Sequence, residues 1–107
     1  MNKFVNEFDM VAVLVNKDHG IGWSTCCYEA DREGLMYDPV IVNIVMSDVE
    51  GWEEEVVEYC KTKYPDFYCV PYGLDVEWVR AGTTFYIQEY DGWECVCYPK
   101  DLNTFVA

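Results

Sequence analysis

Thr84-Phe85-Tyr86-Ile87-Gln88-Glu89-Tyr90-Asp91-Gly92-Trp93-Glu94-Cys95-Val96-Cys97-Tyr98 is the stretch that decides the fold. Its side chains run in period two on both sides of Asp91-Gly92, a dipeptide suited to a tight turn with positive φ at both positions. That pattern predicts a β-hairpin. Upstream, Leu74-Asp75-Val76-Glu77-Trp78 alternates as well, with Leu, Val and Trp on one face. Ala81-Gly82 then turns the chain into the Thr84 strand. The C-terminal half therefore reads as an antiparallel meander.

The N-terminal half has a different character. Met10-Val11-Ala12-Val13-Leu14-Val15 is a continuous, β-branched-rich run and reads as a strand buried on both faces. A turn-rich loop, Asn16 to Gly22, follows, and Trp23 to Cys27 leaves it as a short strand. Asp31-Arg32-Glu33-Gly34 reads as polar punctuation. Asp38-Pro39 places an N-cap beside a proline at the first helical position, which favours helix over the strand propensity of Val40 to Met46. Ser47-Asp48-Val49-Glu50 has the form of a capping box opening a second helix that runs to about Lys63. Trp52, Val56, Val57 and Cys60 give that helix one apolar stripe. The expectation is an α+β fold with an antiparallel four- or five-stranded sheet and one or two helices packed on one face. Residues 1–107 form a single domain, with no repeat or linker.

Twenty acidic residues against seven basic ones leave a formal charge of −13, and six of the acids fall between Asp48 and Glu58. A small domain stays soluble with a charge of roughly 2–8, so this excess exceeds what solubility requires. With 51% hydrophobic and 17% aromatic residues, the chain nevertheless has ample material for a core. Phosphate contacts need Lys and Arg, so direct binding to nucleic acid is disfavoured, as is an anionic membrane surface. A partner with a basic surface is favoured, through salt-sensitive electrostatic steering. The N-terminus lacks the apolar core of a signal peptide, and Met10 to Val15 is too short to span a bilayer. The expected location is the cytosol, where six cysteines remain thiols.

Two acidic sets are candidates for a partner-binding surface. Glu50, Glu54 and Glu58 recur at helical spacing beside Glu53 and Glu55, forming a like-charge ridge. Asp75, Glu77, Glu89, Asp91 and Glu94 form the second set, on the meander and its turn. Carboxylates along a rigid surface can imitate phosphates, because Arg grips both bidentately. Against this stands the plain reading of a solvated helix face. Tyr86, Tyr90 and Trp93 supply apolar anchors, with Tyr86, Tyr90 and Tyr98 expected on the sheet face opposite Phe85, Ile87 and Cys97.

Other chemistry is poorly specified. Cys26-Cys27 and Cys95-x-Cys97 lack the spacing of zinc knuckles, and alternation puts Cys95 and Cys97 with Trp93 on a face that fits core packing. His19 lies in a glycine-containing loop and is expected to be exposed. A pairing of His19 with Cys26, Cys27 or Ser24 has only sequence proximity behind it. Gly20-x-Gly22 precedes no P-loop lysine. No catalytic residue, cofactor or metal is expected.

Gly22-Trp23-Ser24-Thr25, Glu77-Trp78-Val79-Arg80-Ala81-Gly82-Thr83 and Phe85 to Gly92 resemble strings in small acidic proteins encoded by bacteriophages, themselves uncharacterised. The resemblance carries no functional residues over. It implies a phage origin and, by analogy with acidic anti-restriction and anti-CRISPR proteins, a role against host defence. The leading expectation is a non-enzymatic inhibitor of a basic-surfaced host protein that processes nucleic acid or acts in defence. The alternatives are a pocket for a small ligand, such as a nucleotide signal, between aromatics and the Gly20–Gly22 loop, and a structural phage protein.

Overall fold

Val11, Val13 and Val15 point to one side of strand β1 (Met10–Asn16), while Ala12 and Leu14 point to the other, and all five are buried. The uninterrupted apolar run is thus a strand covered on both faces, as its composition requires. The computed structural model describes residues 3–26, 31–98 and 105–107. β1 pairs antiparallel with β2 (Leu74–Arg80), from Met10 opposite Arg80 to Asn16 opposite Leu74. The N-terminal segment lies along the other edge of β1, with an isolated bridge between Val5 and Val11 and a bond from Ala12 N to Phe4 O.

One face of the β1–β2 ribbon carries helices α2 (Pro39–Ser47) and α3 (Trp52–Lys63), whose Ile41, Val42, Ile44, Val56 and Cys60 pack with Ala12, Leu14 and Leu74. Val76 and Trp78 join the same cluster, as the alternation of β2 predicts. The opposite face packs against β3 (Thr84–Tyr90) through Val11, Val13, Val15, Val79, Phe85 and Ile87. The short helix α1 (Arg32–Tyr37) straddles both clusters, giving Leu35 to the first and Met36 and Tyr37 to the second. It begins inside the segment whose polarity reads as punctuation.

β3 and β4 (Trp93–Cys97) form the expected hairpin, with Tyr90 opposite Trp93. Asp91 and Gly92 both have positive φ, 49° and 88°, the backbone of a two-residue type I′ turn. β5 (Phe105–Val106) pairs on the far edge of β3. The fold is α+β, but its strands divide into a pair, β1–β2, and a triplet ordered β4-β3-β5, rather than one four- or five-stranded sheet. β2 is hydrogen-bonded to β1 rather than to β3, so the sequential meander is broken, and the second sheet covers the other apolar face of β1.

The β-branched run of α2 is helical because its start is fixed. Asp38 is buried, and its Oδ1 accepts from Val40 N at 2.9 Å and Ile41 N at 3.3 Å, while Oδ2 accepts from the Tyr59 hydroxyl at 2.9 Å and the Tyr64 hydroxyl at 2.7 Å. Cap and packing together outweigh the propensity of the valines. The capping box does not form. Ser47 closes α2, donating its hydroxyl to Ile44 O at 2.6 Å, and α3 starts only after Gly51 in a left-handed conformation. The end at Lys63 is as expected. Trp23 to Cys26 contains a 3₁₀ turn over Ser24–Cys26 instead of a strand, and Cys27 lies outside the described residues.

Candidate functional site

Glu94 organises the loop that follows β1. Its side chain is fully buried on the inner face of the hairpin. Oε1 accepts from Asn16 N at 2.9 Å, and Oε2 accepts from Trp23 N at 2.9 Å and Thr25 N at 3.0 Å, with the Thr25 hydroxyl also donating to Oε2. Asn16 complements the pin: its amide nitrogen donates to Asp18 O, Ile21 O and Gly92 O. Gly20 N reaches Asp91 O at 2.7 Å. The turn of the hairpin and the Gly20–Thr25 loop are therefore one hydrogen-bonded unit. This corrects the placing of Glu94 on a partner-binding surface. Its negative charge is internal, and it serves buried N–H groups.

That pinned loop forms one wall of an open cleft of about 980 Å³. Gly20, Ile21, Gly22, Thr25 and Cys26 line this side, and the stretch from Tyr64 to Tyr68 lines the other. The second wall is held by the packing of Phe67 edge-on against buried Trp23, with ring centroids 5.0 Å apart at 87°. Trp23 is itself anchored by its indole N–H, which donates to Leu35 O at 2.8 Å. Burial, reinforced by the hydrogen bond to Asp38, pushes the Tyr64 hydroxyl above the usual tyrosine range, so it stays a neutral donor. The polar character of the cleft comes from Asp31, Asp66 and Glu89. No Lys or Arg is among its described lining residues. Sequence reasoning located the Gly20–Gly22 side and named Glu89, but missed Asp31, Asp66 and the Tyr64–Tyr68 wall.

The predicted acidic surfaces separate. α3 lies on one face of the β1–β2 ribbon and the hairpin on the other, so the two sets share no continuous face. Glu50 precedes α3, which breaks the Glu50-Glu54-Glu58 ridge. Glu53, Glu54 and Glu55 occupy the first turn, where the helix dipole favours them, and Glu58 pairs with Lys61 at 3.1 Å. In the second set, Glu77 forms an ion pair with Lys17, and Glu89 accepts from Gly92 N at 2.6 Å. Asp75 and Asp91 are exposed, Asp91 lying 3.9 Å from exposed His19, whose ring packs on Trp93.

The hairpin's outer face does gather Tyr86, Tyr90 and Trp93, with Phe85 and Ile87 turned inward. Tyr98, just beyond β4, is exposed. Cys97 sits opposite Tyr86 and so belongs to the tyrosine face, not the core. Cys95 shares that outer face, and both thiols are half-buried. The expectation of core packing for these two cysteines is therefore corrected. Among the described residues, no group of three or more His, Cys, Asp or Glu side chains is placed to hold a metal, and no helix is long and apolar enough to cross a membrane.

No protein-family model, curated protein or solved structure matches this chain.

Proposed function

We propose that this chain is a non-enzymatic binding protein whose cleft grips an arginine side chain presented by a basic-surfaced partner. The observation that carries this is the lining of the cleft: aromatic rings at Tyr64, Phe67 and Tyr68 beside carboxylates at Asp31, Asp66 and Glu89, with no cation among the described lining residues. A guanidinium is planar, weakly hydrated and always charged, so it can stack on a ring while a carboxylate takes its fork of N–H groups. Such a cation–π contact contributes about 0.5–1 kcal/mol at an exposed site and about 2 kcal/mol when desolvated. The net charge of −13 would steer a basic partner toward the chain at low salt.

The partner class inferred from charge is a host protein that processes nucleic acid or acts in defence, and occupation of its basic groove would inhibit it. The acids of α3 then contribute to long-range attraction, and the cleft supplies the specific grip. The location of the cleft between aromatics and the Gly20–Gly22 loop also fits a small ligand. Three carboxylates favour a cationic or neutral one over a nucleotide.

Calorimetric titration with a hexa-arginine peptide tests the reading. Asp66→Asn combined with Tyr68→Ala should weaken binding at least tenfold, whereas Glu54→Gln with Glu55→Gln, in the first turn of α3 at the end opposite Tyr64, should weaken it far less. Equal losses from both pairs, or no binding at low salt, would overturn the assignment to the cleft.

A further inference from the structure

On the outer face of the hairpin, two thiols stand side by side. Cys95 and Cys97 are two positions apart on β4, so both project from one face of the strand, and their Sγ atoms are 3.8 Å apart. Cys95 lies opposite Gln88 and Cys97 opposite Tyr86, and the Cys97 thiol donates to Gln88 Oε1 at 3.3 Å. The hairpin register fixes the pair, and both thiols are half-buried and reachable. Nothing in the arginine-binding cleft depends on them.

The spacing selects a chemistry. A disulfide usually spans Cα atoms about 4.4–6.8 Å apart, most often about 5.5–6 Å, whereas residues i and i+2 of a strand are separated by about 6.6–6.8 Å, so a disulfide between this pair would sit at the long end of that range. A metal–thiolate bond of about 2.3 Å puts two sulfurs 3.8 Å apart when the S–metal–S angle is near 110°. Closed zinc sites take four protein ligands. Here no third His, Cys, Asp or Glu joins the pair among the described residues. Calcium and magnesium require oxygen donors. A soft ion that accepts few thiolate ligands remains.

We propose that Cys95 and Cys97 form a bidentate thiolate site for a thiophilic ion of the Cu(I) class, with the open coordination position filled by a thiol from solution. Three S–H bonds, two from the chain and one from the solution thiol, are lost and three metal–sulfur bonds form. All three protons leave to solvent, and copper enters and stays as Cu(I), so no electron is transferred. Lys17 from the loop after β1 and Glu77 from β2 face Cys95, and Tyr86 from β3 faces Cys97. Binding must displace the thiol protons, so affinity strengthens as pH rises.

Anaerobic titration of the reduced full chain with Cu(I), against a chromophoric Cu(I) chelator, tests the site. One tightly held ion per chain is expected, with affinity rising with pH. Cys95→Ser and Cys97→Ser should each weaken it at least a hundredfold, while Cys60→Ser and the double variant Cys26→Ser/Cys27→Ser leave it unchanged. Circular dichroism would verify that each variant is folded. Undiminished affinity in either β4 variant, equal losses across all cysteine variants, or a loss confined to Cys26→Ser/Cys27→Ser would overturn the proposal.

Discussion

The Glu94 carboxylate accepts the Trp23 backbone N–H at 2.9 Å, joining positions 71 residues apart in sequence. With Asn16 N and Thr25 N on the same carboxylate, this bond holds the loop after β1 against the hairpin. Three backbone N–H groups, two buried and one partly buried, depend on one side chain. The cleft wall is therefore supported from beneath by a residue that does not line it.

Glu94→Ala would leave those N–H groups without an acceptor, at about 1–3 kcal/mol each. In a domain of this size, each kcal/mol lowers Tm by about 4–8 °C. Thermal denaturation should show a fall in Tm of more than about 10 °C by the same scaling. Glu94→Gln keeps one acceptor oxygen and turns an N–H toward a donor, so it should fall between Glu94→Ala and the parent chain. An unchanged Tm for Glu94→Ala would show that the loop holds without the pin.

Two glycines make the same junction possible. Gly92 has a φ of 88°, and a Cβ there would collide with the Gly20 backbone. A Cβ at Gly22 would meet the Thr25 hydroxyl and Glu94 Oε2. Gly92→Ala should be the more damaging, because backbone cannot rotate aside and the left-handed conformation adds strain. Gly22→Ala requires Thr25 to turn away and the Glu94 carboxylate to shift, which weakens the bonds to that carboxylate but leaves the backbone in place. Chemical denaturation should rank Gly92→Ala below Gly22→Ala, and both below Asp91→Asn, which keeps the turn chemistry intact.

High pH should loosen both sides of the core, the α2–α3 side through Tyr59 and Tyr64 and the β3 side through Tyr37. Burial, then its bond to Asp38, pushes Tyr59 up to about 12, and burial, aided by Glu33, pushes Tyr37 up to about 12. Tyr64 shifts in the same direction. These hydroxyls favour the protonated form in the folded state, so their contribution is complete below the ordinary tyrosine value of 10.0 and is lost as pH climbs from there toward 12. Tyrosinate absorbance and circular dichroism followed through that window should change together. Asp38→Asn removes the charge that helps hold Tyr59 and Tyr64 protonated, and should move the transition to lower pH.

Much of this was legible in particular residues. Asp91-Gly92 gives the hairpin, Asp38-Pro39 gives α2, and the run from Val11 to Val15 gives a strand covered on both faces. The inward turn of Glu94 was legible too. A two-residue turn sets Ile87 opposite Val96 and Glu89 opposite Glu94, so if Ile87 faces the core, Glu94 must follow. Charge obscured it, because an acid on a strand reads by default as surface. The division into two sheets follows from pairing over long sequence distance, between β1 and β2, which local patterns do not encode. The Tyr64–Tyr68 wall has no periodic signal at all. It is placed by Trp23 packing on Phe67 and by the Tyr64 hydroxyl reaching Asp38.

The acids of α3 divide into those that stabilise the helix and those that merely add charge, and a paired substitution separates them. Glu53, Glu54 and Glu55 sit in the first turn, where each favourable interaction with the dipole amounts to about 0.3–1 kcal/mol. Glu58 lies a turn later and is exposed, with only an exposed partner in Lys61. Surface pairs of that kind contribute about 0–1 kcal/mol. Glu54→Lys should therefore lower stability, because it puts a cation at the positive end of the helix. Glu58→Lys loses one weak pair but relieves the like-charge contact with Glu54, so its effect should be near zero. Salt distinguishes local from global charge. Raising ionic strength from about 0.01 M to 0.15 M shortens the screening length from about 30 Å to about 8 Å. That should raise the Tm of the parent chain, since a net charge of −13 repels itself throughout. The gap between Glu54→Lys and Glu58→Lys should narrow with salt but persist, because the dipole acts within the first turn. If both variants were equally stable at low salt, the acidic run would have no structural role, and attraction of a basic partner would be left as its whole explanation.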